Sequence, residues 1–492
     1  MSESPTQHKQ QGLGSSIYVF LAEALIIPTG LITAIFLTRQ LGPADYGLFT
    51  LTATFIAWIQ WSITSAFART TVQLVSSTDD WQPIGTTVIR LHLLVSTSAM
   101  VLIWLLATPI ANLMNEPALA AYLRLFALDL PIFSLAHGHR DILVGRGDFV
   151  PRALSAAGRW TTRLILILLL VSLGLSINGA ILGSIGASIV QLAICRFYAR
   201  PPVIRGTTVP LRQLWNIAVP LFLFALVMRF YDKVDLFALK ILGGTTEEAG
   251  IYGATQNLAL VPGIFALSFS PLLLSTLTRT LRAGAVADAH QLGRNAMRIV
   301  LLLIPFAGLV AGTSPELIQF IYGEAFAAAA PLLAILIFGA LMLVMISVTT
   351  AIMTAAGKAE WTVRLAAPML VCAIIGHIAI IPQFGLTGAA TVTTICALIG
   401  ALVAIIVVQR LWQILPPFTT LLRSILIYGV AYGLALLWSL PHALVLLELT
   451  LISLTIPLMF LLLGEFSSAE KSIIVSFLRR SLKRNQSQRE VI

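Results

Sequence analysis

Apolar residues run through this chain in long blocks, broken at intervals by glycine, proline and charge. Neither the two-residue alternation of a half-buried strand nor the narrow apolar stripe of a surface helix dominates. A hydrocarbon core of about 30 Å takes about 20 residues of helix. On that measure the blocks predict fourteen spans, at about 16–38, 47–69, 88–108, 117–139, 153–174, 177–199, 213–242, 250–277, 296–314, 331–356, 362–382, 386–409, 421–438 and 442–464. The tract 465–492 predicts a different element. Ser467 and Glu470 form a capping-box pattern, and Ile473, Ile474, Phe477, Leu478 and Leu482 are interleaved with basic residues. That is an amphipathic helix suited to an anionic leaflet.

Composition agrees. The 492 residues are 58% hydrophobic and only 11% charged, against about 25% charged for a soluble domain. Mean hydropathy is +0.92. The expected class is an all-α integral membrane protein. The net charge of +10 suggests nucleic acid only until its placement is read. With the N-terminus inside, only Arg39 and Lys240 of the 31 Lys and Arg residues fall outside, and Arg124, Arg229 and Lys233 fall within spans. The remainder are placed inside, Arg152, Arg159 and Arg163 among them, as the positive-inside rule requires for an even number of spans. Charge therefore reports topology, with both termini cytoplasmic and no nucleic-acid partner.

The chain also repeats itself. LGPADYG (41–47) returns as LGGTTEEAGIYG (242–253), NEPALAAYLRLFAL (115–128) as GEAFAAAAPLLAIL (323–336), GRGDF (145–149) as GKAEW (357–361), and SINGAI (176–181) as GLTGAA (385–390). Order, spacing and sidedness match, which predicts parallel repeats. The expected organisation is a tail at 1–15, a six-helix lobe at 16–199, a linker at 200–212 and a second six-helix lobe at 213–409. Two added helices follow at 421–464, then the basic tail.

Chemistry concentrates where charge enters the apolar blocks. MRFYDKVDLF (228–237) carries Arg229, Asp232, Lys233 and Asp235, which share an arc of about 160° on a helix. Each costs roughly 2.5–3.5 kcal/mol at the bilayer centre if unpaired. The face must see water, substrate or partners: a cleft lining, or a neutral clamp between helices. Glu23, Arg124, Asp129 and Glu448 are the other charges read within spans. Arg69, at the inside end of the second span, joins Arg124, Arg229, Asp232, Lys233 and Asp235 as a candidate cavity residue. Glu23, Asp129 and Asp235 are the candidates for ion coupling. Replacing Arg229 or Asp235 by alanine is expected to lower transport more than folding. His92 and His377 read as packed or hydrogen-bonded histidines. Cys195, Cys372 and Cys396 lack metal-ligand spacing and read as buried apolar residues. No catalytic group, metal site, cofactor or nucleotide-binding loop is expected.

RQLGPADYGLFTL (39–51) and the stretch AVPLFLF (218–224) through RFYDKVDLFALKILGGTTEEAGIYGATQNLA (229–259) resemble the polysaccharide, or O-antigen, flippase family. That family belongs to the superfamily of multidrug and toxin extruders and lipid-precursor flippases. The resemblance spans about residues 15–465. It implies a multidrug-extruder-like fold, alternating access, and a sugar chain on a polyprenyl diphosphate moved across a bacterial cytoplasmic membrane for surface polysaccharide such as lipopolysaccharide O-antigen. Membrane lipids, H+ or Na+ coupling, and the glycan polymerase with its chain-length machinery are the partners implied. A cation-coupled exporter of the same superfamily is the alternative. A membrane enzyme such as a ligase would need larger external loops than these.

Overall fold

A computed structural model describes residues 21–202, 233–438 and 444–472, except 359 and 469. The described residues are almost wholly helical, and nine stretches among them are long and apolar enough to cross a membrane. They form two compact units. One holds Met1–Asn257, Tyr322–Ala329 and Leu370–Val392; the other holds Leu258–Ile321, Ala330–Met369 and Thr393–Ile492.

The first unit starts with α1 (Ile26–Ser76), 51 residues long. A straight helix of that length would run about 77 Å, more than twice the hydrocarbon thickness. It breaks at Gly42 (φ 72°, ψ 175°), with Pro43 restarting the helix, where a proline's missing N–H costs nothing. The break falls between the first two expected spans. Then come α2 (Gln82–Leu113), α3 (Leu119–Ala127), α4 (Asp129–Arg146), α5 (Phe149–Leu170) and α6 (Ser176–Tyr198). A π-turn at Val171–Leu175 reverses the chain between α5 and α6. Small residues let these two lie backbone to backbone. A Cβ on Gly183 would stand 2.8 Å from the Ile167 nitrogen, and one on Gly179 2.9 Å from the Leu170 carbonyl carbon, the packing that small-xxx-small spacing permits in membranes. That closeness sets the polar face of α5 against Ser184 and Ser188.

The unit also contains α7 (Val234–Ile241) and α8 (Thr246–Ala259). Thr245 and Glu248 cap α8 reciprocally, Thr245 N–H to Glu248 Oε2 at 2.8 Å and Glu248 N–H to Thr245 Oγ1 at 3.1 Å. Helix α8 crosses the second arm of α1 at a glycine seam. A Cβ on Gly47 would lie 1.9 Å from the Thr246 carbonyl oxygen, and one on Gly250 2.0 Å from that of Pro43. Beside the seam, Lys240 pairs with Glu116 at 3.5 Å and Thr246 Oγ1 donates to Glu116 at 3.1 Å. Asn257 Nδ2 donates to Tyr46 Oη at 3.1 Å.

In the second unit α9 (Val261–Arg282) and α10 (Val286–Leu302) extend well past the apolar spans expected at 250–277 and 296–314. The polar turn VADAHQLGRN is helical because Ala289, Gly293 and Ala296 bury one face of it. The tract after the ninth expected span folds as α12 (Ser314–Tyr322), preceded by α11 (Ile304–Gly312). After these come α13 (Ala329–Ala355), α14 (Glu360–Trp412), whose stretch Leu370–Val392 belongs to the first unit, α15 (Phe418–Leu437) and α16 (Val445–Leu462). The expected capping box is present: Ser467 N–H donates to Glu470 Oε2 at 2.7 Å and Glu470 N–H to Ser467 Oγ at 3.2 Å. The tail beyond 472 lies outside the described residues.

Matched sequence segments carry matched backbones. Gly147 and Gly357 are both left-handed (φ 80° and 74°). Each closes the same C-terminal motif, Gly147 N–H to Val144 O and Asp148 N–H to Leu143 O, against Gly357 N–H to Thr354 O and Lys358 N–H to Met353 O. Ser176 (φ 46°, ψ −131°) and Gly385 (φ 51°, ψ −129°) share a conformation few residues adopt. Asn115 and Gly323, as well as Gly42 and Gly243, are paired positive-φ positions too.

Candidate functional site: an arginine ladder beside Asp129

The site is built on α5. Its sequence FVPRALSAAGRWTTRL places Arg152, Arg159 and Arg163 at i, i+7 and i+11, which at 100° per residue lie within an arc of about 40°. Measured from Phe149, Arg159 and Arg163 stand about 15 and 21 Å along the helix. They therefore stand well along α5 and not in the loop that precedes it.

At the foot of the ladder, Arg152 pairs with Glu23 at 3.3 Å. At mid-height the Arg159 guanidinium lies 4.6 Å over the Phe133 ring and 5.2 Å over that of Trp160, an aromatic slot that fixes its plane. At the top, Arg163 Nε donates to Ser184 Oγ at 3.4 Å. Facing the upper two arginines is Asp129, the first residue of α4, only 1% exposed. Its Oδ2 accepts from Gln60 Nε2 of α1 at 2.9 Å, and Ser188 of α6 stands beside it. Four helices thus deliver one carboxylate and two facing guanidiniums, an excess of positive charge.

Several buried polar atoms here have no hydrogen-bond partner among the described residues: Asp129 Oδ1, Arg159 Nε, Arg152 Nε and Gln191 Oε1. Buried polar groups are nearly always satisfied, by protein, water or ligand. Arg159 and Arg163 are themselves half-buried rather than enclosed. Such a lining accepts polar anionic matter. Guanidinium forks suit phosphate oxygens in particular.

Of the residues expected from sequence, Glu23 and Asp129 belong to this cluster. Arg124 does not: its Nη2 donates to Thr108 Oγ1 at 2.9 Å and its Nε to the Trp104 carbonyl at 3.4 Å, tying α3 to α2. Asp235 is 3% exposed. Its Oδ2 accepts from Tyr252 Oη and Gln256 Nε2, both at 2.8 Å, and its Oδ1 from the Leu236 N–H at 2.8 Å. Lys233 Nζ donates to Gln256 Oε1 at 2.9 Å. Those contacts tie α7 and the residue before it to α8. Arg229, Asp232 and the side chain of Arg69 lie outside the described residues. His92 Nδ1 bonds Ser134 Oγ at 2.8 Å, a packed histidine as expected. Glu448 is fully buried on α16. Cys195 and Cys396 are buried while Cys372 is exposed. Missed from sequence were Arg152, Arg159, Arg163, Gln60 and Ser188; the spacing of the α5 arginines was the signal that could have found the first three.

The sequence profile described as polysaccharide biosynthesis protein matches residues 36–331. No curated protein sequence matches the chain. Among solved structures, the lipid II flippase MurJ in an inward closed conformation superposes with a TM-score of 0.71 at 16% identity, over 92% of this chain and 98% of that one. An inward-facing multidrug resistance MATE family transporter of the MOP superfamily gives 0.63 at 15% identity, over 85% and 99%. A MOP superfamily transporter from Pyrococcus furiosus gives 0.56 at 15%, over 85% and 95%. These likenesses fix the fold. The chain belongs to the polysaccharide biosynthesis protein family, membrane proteins built here on the fold shared by MurJ and the MATE transporters.

Proposed function

We propose that the protein is a flippase that carries a polyprenyl-diphosphate-linked oligosaccharide across the bacterial cytoplasmic membrane by alternating access. The observation that carries this reading is the ladder Arg152–Arg159–Arg163, a cationic track along one face of α5 from its first turn past its middle. Arg159 and Arg163 sit one helical turn apart, a Cβ separation of about 5–6 Å, which suits two adjacent phosphates. A diphosphate entering at Arg152 takes the place of the Glu23 carboxylate. It is then shared by the two upper guanidiniums, with Phe133 and Trp160 keeping Arg159 flat. Asp129 returns to those arginines when the diphosphate leaves, so neither cation is stranded unpaired, the state that is costly in hydrocarbon. The sugars travel in the wet space while the polyprenyl chain stays in lipid.

Under this reading residues 16–199 and 213–409 are the two lobes, the matched backbones of the repeats being their shared inheritance, and 421–464 is an addition. Both termini are cytoplasmic, which puts the glycine seam of Gly47 and Gly250 at the outer face. Asp129 favours a second reading, a cation-coupled exporter that uses this carboxylate as its ion site. Proteoliposomes separate the two. With a fluorescent lipid-linked oligosaccharide, the wild-type protein should expose the glycan to an external glycosidase, and Arg159→Gln with Arg163→Gln should not. Failure of the wild type to move any lipid-linked glycan, together with proton-driven efflux of cationic dyes that Asp129→Asn abolishes, would replace the flippase by the exporter.

A further inference from the structure

A separate groove lies on the other flank of the same unit. It has a volume of about 440 Å3 and is lined by Ile89 and Leu93 of α2, Leu135 and His139 of α4, and Leu192 and Arg196 of α6, with Ile189 and Ala193 between. Its polarity is sorted by height. Arg196 and His139 stand together at one end, and the apolar side chains run away from them along all three helices. Leu93 and Ile189 are 39% and 51% exposed, so the apolar part opens on the surface that a bilayer would cover.

The polar end is built. The His139 Nδ1–H donates to the Leu135 carbonyl at 2.8 Å, which leaves Nε2 as an acceptor for Arg196 Nη1 at 3.4 Å. The imidazole is thereby neutral and serves to orient the guanidinium, and Arg196 also donates to the Pro201 carbonyl at 3.0 Å. Every one of these partners is neutral. Among the described residues neither Arg196 nor Arg200 makes an ion pair, whereas Arg146, bonded to the Tyr198 carbonyl nearby, is already offset by Asp148 at 2.9 Å. The end of the groove carries uncompensated positive charge at a helix end, beside a chain-sized apolar channel.

We infer that this groove binds an anionic phospholipid, with the phosphate on Arg196 and one acyl chain along Leu192, Leu93 and Leu135. Basic pockets between membrane helices recognise such headgroups, and the fork of an arginine suits a phosphate better than a lysine does. The site is apart from the arginine ladder and does not rest on the transport reading.

The test is native mass spectrometry of the full-length protein in detergent, with phosphatidylglycerol and phosphatidylcholine of identical chains added in equal amounts. Wild type should retain phosphatidylglycerol about fivefold over phosphatidylcholine, the worth of one basic residue at an anionic lipid surface. Arg196→Gln should bring the ratio to unity, Arg196→Lys should keep part of it, and Leu192→Trp should reduce retention of both lipids by filling the channel. A wild-type ratio of unity, or an Arg196→Gln protein as selective as wild type, would overturn the assignment. So would displacement of phosphatidylglycerol by an equimolar polyprenyl phosphate, which would make the groove a seat for the substrate's tail.

Discussion

Asp235 and Arg159 are both charged and both on helices, yet they invite opposite predictions. Asp235 accepts hydrogen bonds from Tyr252, Gln256 and the Leu236 N–H. Removing a buried carboxylate strands its donors, so Asp235→Ala should lower stability by about 3 kcal/mol, seen as a lower melting temperature in detergent. The sequence expectation is a larger loss of transport than of folding, and measuring both in this variant decides between the two. Arg159 has an aromatic slot and an Nε with no hydrogen-bond partner among the described residues. Arg159→Gln should reduce transport at least tenfold while melting shifts by a few degrees, and Arg159→Lys should restore only part of the rate, since lysine lacks the planar fork. Equal loss of stability and transport in Arg159→Gln would make it a packing residue.

At the scale of elements, the breaks between helices were legible. Gly42, Gly147, Gly357 and Gly385 punctuate the apolar blocks, and each is a positive-φ turn in the structure. The ladder was not legible, because only Arg152 falls at the boundary of the span expected at 153–174, and what unites it with Arg159 and Arg163 is the set of partners supplied by other helices. The glycine seam predicts its own sensitivity. A side chain at Gly47 meets the backbone carbonyl of Thr246, not a movable side chain. Gly47→Val should thus part α1 from α8 and break the Lys240–Glu116 pair, read as increased labelling of a cysteine placed at 246. Unchanged labelling would mean the seam yields without opening.

The junction after α16 has a pH signature. Glu465 accepts from Thr420 Oγ1 at 2.6 Å, Arg423 Nη1 at 2.7 Å and Arg298 Nε at 2.6 Å, and Glu470 accepts from Arg298 Nη1 at 2.8 Å. Burial pushes the Glu465 carboxyl up, but the bonds from Thr420, Arg423 and Arg298 outweigh it and hold the group below the usual carboxylate range. A depressed carboxyl contributes its stability above the unfolded value of about 4.3 and loses it as pH falls through the folded one. Protease sensitivity of the 465–472 junction should rise below about pH 4, and Glu465→Gln should show that sensitivity already at pH 7. A variant as resistant as wild type at pH 7 would separate the carboxylate from the anchoring of the tail.

For the molecule as a whole, membrane insertion, helical class and family were readable because bilayer thickness and charge placement act on long windows of sequence. The cationic cluster depends on how four helices meet, and no window contains that. The account as a whole turns on α5 offering its arginines to a diphosphate. The most direct measurement is the affinity of the purified protein for a short-chain polyprenyl diphosphate at two salt concentrations, wild type against Arg159→Gln with Arg163→Gln. The account predicts that the double variant binds at least tenfold more weakly and that its affinity depends less on salt. Equal affinity and equal salt dependence in the two proteins would contradict it.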